Sequence, residues 1–209
     1  MTLRLSLYRY RYFWLAIPVI ATALYLLHTP ILVGVASFMT IRDSLDQADL
    51  ILPLYHEAQT VPFAAAALYH LGYANRVALG QLRMGRLEML GLRPPLQQIW
   101  RGVLEHEGVP PGAIVTIGQE GQNAVELAQA VASFLGDHKQ SRIIVVVSAP
   151  LSRISRDDFR HGLTGSSVEA RIYPVPQKEF NERTWWRSTH GWVSYFDVYY
   201  LWLLRFLRH

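Results

Sequence analysis

The longest apolar run comes first. From Tyr12 to Ile41 the chain has no Asp, Glu, Lys or Arg. As a helix rising about 1.5 Å per residue, that stretch would measure about 45 Å, more than the ~30 Å hydrocarbon core of a bilayer requires. Pro18 lies inside it, and His28-Thr29-Pro30 marks a kink or exit. The pattern predicts one transmembrane helix over about residues 13–34, with the rest interfacial. A polar linker, Thr40 to Ala48, follows. Beyond it, short apolar runs alternate with amphipathic segments. Asp49 to Tyr55 (despite Pro53), Arg76 to Leu79, Ala113 to Ile117, Arg142 to Val147 and Val168 to Val175 read as strands. Val61 to Leu71, Leu96 to Glu107, Gln122 to Leu135, Ser152 to His161 and Thr184 to Leu207 read as helices. Gly80 to Pro95 reads as irregular.

Strands alternating with helices of ten to fifteen residues mean βαβ units and a parallel sheet. The predicted fold is α/β: a Rossmann-like three-layer sandwich with a mostly parallel sheet of about five strands, preceded by one N-terminal transmembrane helix. The chain divides into a basic N-terminus and anchor (1–39), a linker (40–48) and an α/β domain (49–209) ending in an aromatic helix. Arg4, Arg9 and Arg11 precede the anchor, and only Arg42 closely follows it. That asymmetry places the N-terminus in the cytoplasm and the domain outside. Tyr8, Tyr10, Tyr12, Phe13 and Trp14 form an interfacial aromatic belt. A cleaved signal peptide, with Gly34-Val35-Ala36 as its small-residue site, is the alternative, but the apolar run is long for one.

Composition agrees with this picture. With 209 residues, 51% hydrophobic and 17% charged, the chain is neither a disordered tail nor a polar linker. The net charge is +4, and eighteen of the twenty cations are Arg. That bias suits a membrane surface or a phosphate-bearing partner. The absence of cysteine excludes disulfides, thiolate metal sites and cysteine nucleophiles. The basic residues are dispersed, which argues against nucleic acid.

Open parallel sheets bind ligands beyond the C-terminal ends of their strands. Four loops qualify: Tyr55 to Thr60, Gly80 to Gly85, Gly118 to Gln122 and Ser148 to Arg153. In Gly118-Gln119-Glu120-Gly121-Gln122-Asn123, two glycines and a helix N-terminus suit an anion, with Asn123 adding a contact and Glu126 one turn further in. The same residues also make a tight turn with Asn123 as cap and Glu126 favouring the helix dipole. Ser148 ends the best strand, and Arg153 and Arg156 suit a phosphate; alternatively Ser152 caps a helix and both arginines are solvated. His56-Glu57 sits at a strand tip, but adjacent residues of an extended segment face opposite ways. There is no GxGxxG and no Walker lysine, so neither a dinucleotide nor a P-loop reading is supported and the cofactor is left unknown; without GxSxG, Ser148 is not read as a nucleophile. No metal spacing occurs among the histidines, and Asp43, Asp46 and Asp49 lack the glycine and closing Glu of a calcium loop. The segment Thr184 to Arg208 is densely aromatic; it reads as a core helix, with partial membrane contact compatible.

Several pieces, in order, resemble the SanA/YdcF/ElyC family of bacterial envelope proteins. They run from about Thr29 to Leu207. Thr29-Pro30 and Ala48-Asp49-Leu50-Ile51 resemble the approach to the family's first strand. Ala65-Ala66-Ala67-Leu68-Tyr69-His70-Leu71-Gly72 resembles its first helix, and Arg76-Val77-Ala78-Leu79 its second strand. Gly108-Val109-Pro110 with Ala113-Ile114 resembles the start of its third strand. Asn123-Ala124-Val125-Glu126-Leu127-Ala128 is similar to its Asn-Thr-x-Glu-Asn-Ala. Val147-Ser148-Ala149 resembles its Val-Thr-Ser turn, and Trp185-Trp186-Arg187-Ser188 with Gly191 its closing segment. The chain departs from the family at several points. The Gly-Gly after the first strand is Tyr55-His56 here, and the Ser-Gly-Gly after the second is Leu79-Gly80-Gln81. The acid before the third helix falls on Gly118. A His and an Arg after the serine turn fall on Leu151 and Ile154.

The resemblance implies envelope biogenesis at the bacterial inner membrane, linked to lipid-carrier or peptidoglycan metabolism. The expected ligand is a phosphate-bearing or lipid-carrier-linked molecule, held by Gly121, Asn123, Glu126, Ser148, Arg153 and His56. The alternative is a catalytically degenerate scaffold that binds an envelope protein. A hydrolase using Glu126, Ser148 or His56 ranks third.

Overall fold

The computed structural model describes residues 4–55, 59–120, 123–136 and 141–207. Five strands form one sheet: β1 (Leu50–Pro53), β2 (Val77–Gly80), β3 (Ile114–Ile117), β4 (Arg142–Ser148) and β5 (Glu169–Val175). Their order is β3-β2-β1-β4-β5, and every neighbouring pair is parallel. The apolar runs account for this, because strands covered on both faces need continuous rather than alternating hydrophobicity.

The connections put helices on both faces. On one face, α2 (Val61–His70) and α4 (Leu96–His106) bury Val61, Ala65, Leu68, Trp100 and Leu104 against Ile51, Ile144 and Val146. On the other, α5 (Ala124–Leu135) and α6 (Ser152–Gly162) bury Ala128, Val131 and Phe159 against Leu50, Leu52, Val145 and Val147. Strand residues alternate between these clusters, as the two-residue period of a strand requires. Gly162 lets α6 come close to α5. A Cβ there would meet the Val125 carbonyl oxygen and lie 2.7 Å from Ala128 Cβ.

Three differences from the sequence reading have clear causes. A short helix, α3 (Arg86–Met89), interrupts the stretch read as irregular; Gly85 N–H donates to Glu88 Oε2 at 2.7 Å and holds its start. The final aromatic segment is two pieces, a 3₁₀ turn (Trp185–Arg187) and α7 (Thr189–Leu207). Ser188 is extended between them, and Gly191 lies so close to the Trp185 backbone that a Cβ would collide with it. The segment read as a linker is bound to the sheet. Asp43 N–H donates to the Ile172 carbonyl at 3.1 Å, and its carboxylate accepts Ile172 N–H at 2.9 Å and pairs with Arg156 at 3.3 Å. Asp49 repeats the device, its N–H donating to the Arg142 carbonyl and its carboxylate accepting Arg142 N–H at 2.8 Å. Two of the three regularly spaced aspartates therefore satisfy strand backbone, Asp43 blunting the β5 edge. Among the described residues, no cluster of metal-ligating side chains occurs.

The N-terminal apolar run is helical throughout its described length, α1 (Arg4–Met39), with Pro18 and Pro30 inside it. Among the described residues, no single helix is long and apolar enough to cross a membrane. The segments Ala16–Ala23 and Tyr25–Met39 meet that test together, bent by 42° between them. The bend falls between the two prolines, each of which removes one helical hydrogen bond. The side chains from Tyr8 to Trp14, the expected aromatic belt, lie outside the described residues.

The last turns of α1 dock on the domain through a third cluster. Ala36 and Met39 pack with Ile154, Phe180, Trp185, Tyr195 and Val198. Trp185 Nε1 donates to the Leu32 carbonyl at 3.0 Å, and the Tyr199 hydroxyl to the Val35 carbonyl at 2.7 Å. Burial of Tyr195 in this cluster pushes its hydroxyl up to about 12.

Candidate functional site

An all-parallel sheet brings the loops after β1, β2, β3 and β4 to one end. The order β3-β2-β1-β4-β5 reverses between β1 and β4, so the switch point lies between their tips. The register sets Pro53 beside Val146, which places Tyr55, two residues on, level with Ser148. Ser148 shares its side of the sheet with Ile144 and Val146, the side covered by α2. α2 packs on β4 on this side of the sheet, and Thr60 is its N-cap residue.

Two hydroxyls here have no partner. Ser148 is 1% exposed, and its Oγ makes no hydrogen bond. Thr60 Oγ1 is buried and unpartnered too, and it does not cap α2. Pro62 supplies no N–H, so the opening turn of α2 leaves the Val61 and Phe63 N–H groups without helical acceptors. Free N–H groups and a hydroxyl at a helix N-terminus suit an anionic oxygen.

Tyr55 fills the neighbouring part of the crevice. Its hydroxyl donates to the Gly80 carbonyl at 3.0 Å, and its ring packs on Trp100 with centroids 4.6 Å apart. Burial pushes that hydroxyl well above the usual tyrosine range, although the Arg101 charge opposes the shift. A large side chain thus occupies the place where the family pattern expects glycine. Gly80 leaves little room either, since a Cβ there would lie 3.3 Å from Leu127.

The other expected site residues have different positions. Asn123 and Glu126 form a reciprocal capping box at α5: Asn123 Oδ1 accepts Glu126 N–H, and Glu126 Oε2 accepts Asn123 N–H, both at 3.0 Å. Arg153 turns toward α1, its Nε donating to the Phe38 carbonyl and its guanidinium 4.1 Å from the centroid of the Phe38 ring. Arg156 pairs with Asp43 rather than facing the crevice. His56 and Gly121 lie outside the described residues.

Ser152 is the contact that sequence reasoning missed. It is fully buried, and instead of capping α6 its Oγ accepts Ile41 N–H at 2.8 Å and lies within hydrogen-bonding distance of the Ala149 and Met39 carbonyls. The end of the apolar helix is therefore fixed four residues from Ser148. No local signal announces a contact between residues 113 apart.

Several hollows lie elsewhere. One of about 210 Å³ at the β2 and β3 tips is lined by Gln81, Glu88, Gln97, Gln98 and Glu120, without a cation. Another, of about 510 Å³, lies between α5, α6 and α7 and is lined mostly by apolar surface, including Val125, Ile154, Trp202 and Phe206.

The fold defines a parallel α/β protein whose strand order reverses between β1 and β4. Compared with known proteins, the chain matches no family model, no curated protein and no solved structure.

Proposed function

We propose that the protein is a single-pass inner-membrane protein whose extracytoplasmic α/β domain binds a phosphate-bearing, lipid-linked ligand of the cell envelope at the tips of β1 and β4. The observation that carries this reading is the unpartnered, buried Ser148 hydroxyl, four residues from the point where α1 is tied down. A ligand held there sits at the pole of the sheet nearest the anchor, within reach of a headgroup whose chain remains in the bilayer. The bent apolar α1, the arginines before it and the ordered resemblance to the SanA/YdcF/ElyC family support the setting. Thr60 and the first turn of α2 supply the remaining donors.

A second reading, an envelope scaffold without turnover, is favoured by the structural use of Asn123, Glu126 and Arg153. These three side chains are engaged in contacts within the fold.

Ser148→Ala tests the first reading. A buried hydroxyl without a partner costs about 1–3 kcal/mol. Its removal is expected to raise the stability of the lipid-stripped protein by about 1 kcal/mol in urea denaturation. The same change is expected to abolish the phosphorus that co-purifies in mild detergent. Bound phosphorus that persists in Ser148→Ala would contradict the reading.

A further inference from the structure

We propose that the outward face of α7 lies on the lipid bilayer, so that the domain meets the membrane at a second surface beside α1. The inference rests on the reading of α1 as a membrane anchor.

The helix is apolar on both sides. Gly191, Tyr195 and Val198 face inward and are buried. Val193, Phe196, Tyr200, Leu203 and Leu207 recur at alternating steps of three and four residues, which aligns them on one stripe. They are 54%, 66%, 64%, 48% and 70% exposed. From Gly191 to Leu204 the only charge is Asp197. A helix apolar all round needs cover on both sides.

Two observations choose a bilayer as that cover. First, α7 packs on α1 through residues beside the stripe. The Tyr199 hydroxyl is bonded to Val35, and Phe38 packs against Tyr199 and Trp202, with ring centroids 6.3 and 5.5 Å away. Ile17, Ile20, Leu26 and Ile31 of α1 are themselves about half or more exposed. One apolar environment covers both surfaces, whereas a second copy on the α7 stripe leaves α1 bare. Second, the stripe has the chemistry of an interface. It spans about 21 Å, too short to cross a bilayer but suited to lying along one. Phe196 and Tyr200 are flanked by the half-exposed Trp192, and aromatic side chains favour the headgroup level. The exposed Lys178, Arg183 and Arg187 precede the stripe and suit anionic headgroups.

The chain has no cysteine, so single cysteines can be introduced without background. Nitroxide labels on Phe196→Cys, Tyr200→Cys and Leu203→Cys would be read in the full chain, reconstituted in phosphatidylethanolamine–phosphatidylglycerol vesicles. Ile20→Cys reports on α1, and the exposed Gln129→Cys serves as a water reference. Collision rates with oxygen and with a water-soluble nickel chelate give the depth of each label. The three α7 labels are expected to favour oxygen several-fold more than Gln129→Cys does. If they favour nickel while Ile20→Cys favours oxygen, the anchor stands and the α7 proposal falls. If Ile20→Cys favours nickel as Gln129→Cys does while the three α7 labels favour oxygen, the anchor reading fails and lipid contact by α7 stands. Spin–spin broadening at α7 that disappears on dilution with unlabelled protein would assign the stripe to a second copy and overturn the proposal.

Discussion

Replacing Trp185 by alanine is expected to detach α1 and α7 from the sheet while leaving the sheet folded. Trp185 is 3% exposed and lies at the centre of the third cluster, its ring 4.9 Å from Trp192 and 4.8 Å from Tyr195 between centroids. Its indole N–H also holds the Leu32 carbonyl. Removing a buried tryptophan typically costs about 3–5 kcal/mol. The loss should be local, because the two clusters flanking the sheet contain neither Trp185 nor any residue of α1 or α7. Limited proteolysis is expected to cut between Pro176 and Ser188 well before the sheet unfolds, and denaturation should separate into two transitions. A single transition shifted by less than about 1 kcal/mol would show that this cluster does not hold α1.

The second large effect is expected at Gly162. A methyl group there meets the Val125 carbonyl oxygen and Ala128, both on α5. Backbone cannot yield as a flexible side chain can, so α6 and α5 must separate. Gly162→Ala should destabilise the domain by about 2–3 kcal/mol, in the upper part of the range for overpacking. Gly102, inside α4, has nothing within 4 Å of a Cβ. Gly102→Ala should stabilise the domain by up to about 1 kcal/mol through helix propensity. Opposite signs in parallel urea titrations would support the observed approach of α5 and α6, and two stabilising changes would contradict it.

Much of the sheet was legible because its cause is local. Ile143 to Val147 is an unbroken apolar run and becomes the centre of β4, buried on both faces. The Asn123-x-x-Glu126 spacing already allowed a cap, and the two side chains form one. The rest depends on contacts between distant parts of the chain. Nothing near Ser152 shows that its hydroxyl will receive the end of α1, and nothing near Arg153 shows that Phe38 will occupy its guanidinium. Asp43 reads as a solvated linker residue until β5 lies beside it. The break before α7 likewise depends on the close approach of Gly191 to Trp185.

These long-range contacts also reshape the site. Sequence pattern spread the candidates over four loops. The fold commits Asn123, Glu126 and Arg153 to structure and leaves Ser148 and Thr60 with unused hydroxyls at the switch point. The central claim is that these hydroxyls receive a phosphate-bearing, lipid-linked ligand. Native mass spectrometry of the full chain, released from mild detergent with lipid extraction of what co-purifies, tests it most directly. One phosphorus-containing amphiphile per chain is expected, retained in Asn123→Ala and lost in Ser148→Ala. A bare chain mass, or a bound lipid that persists in Ser148→Ala, would contradict it.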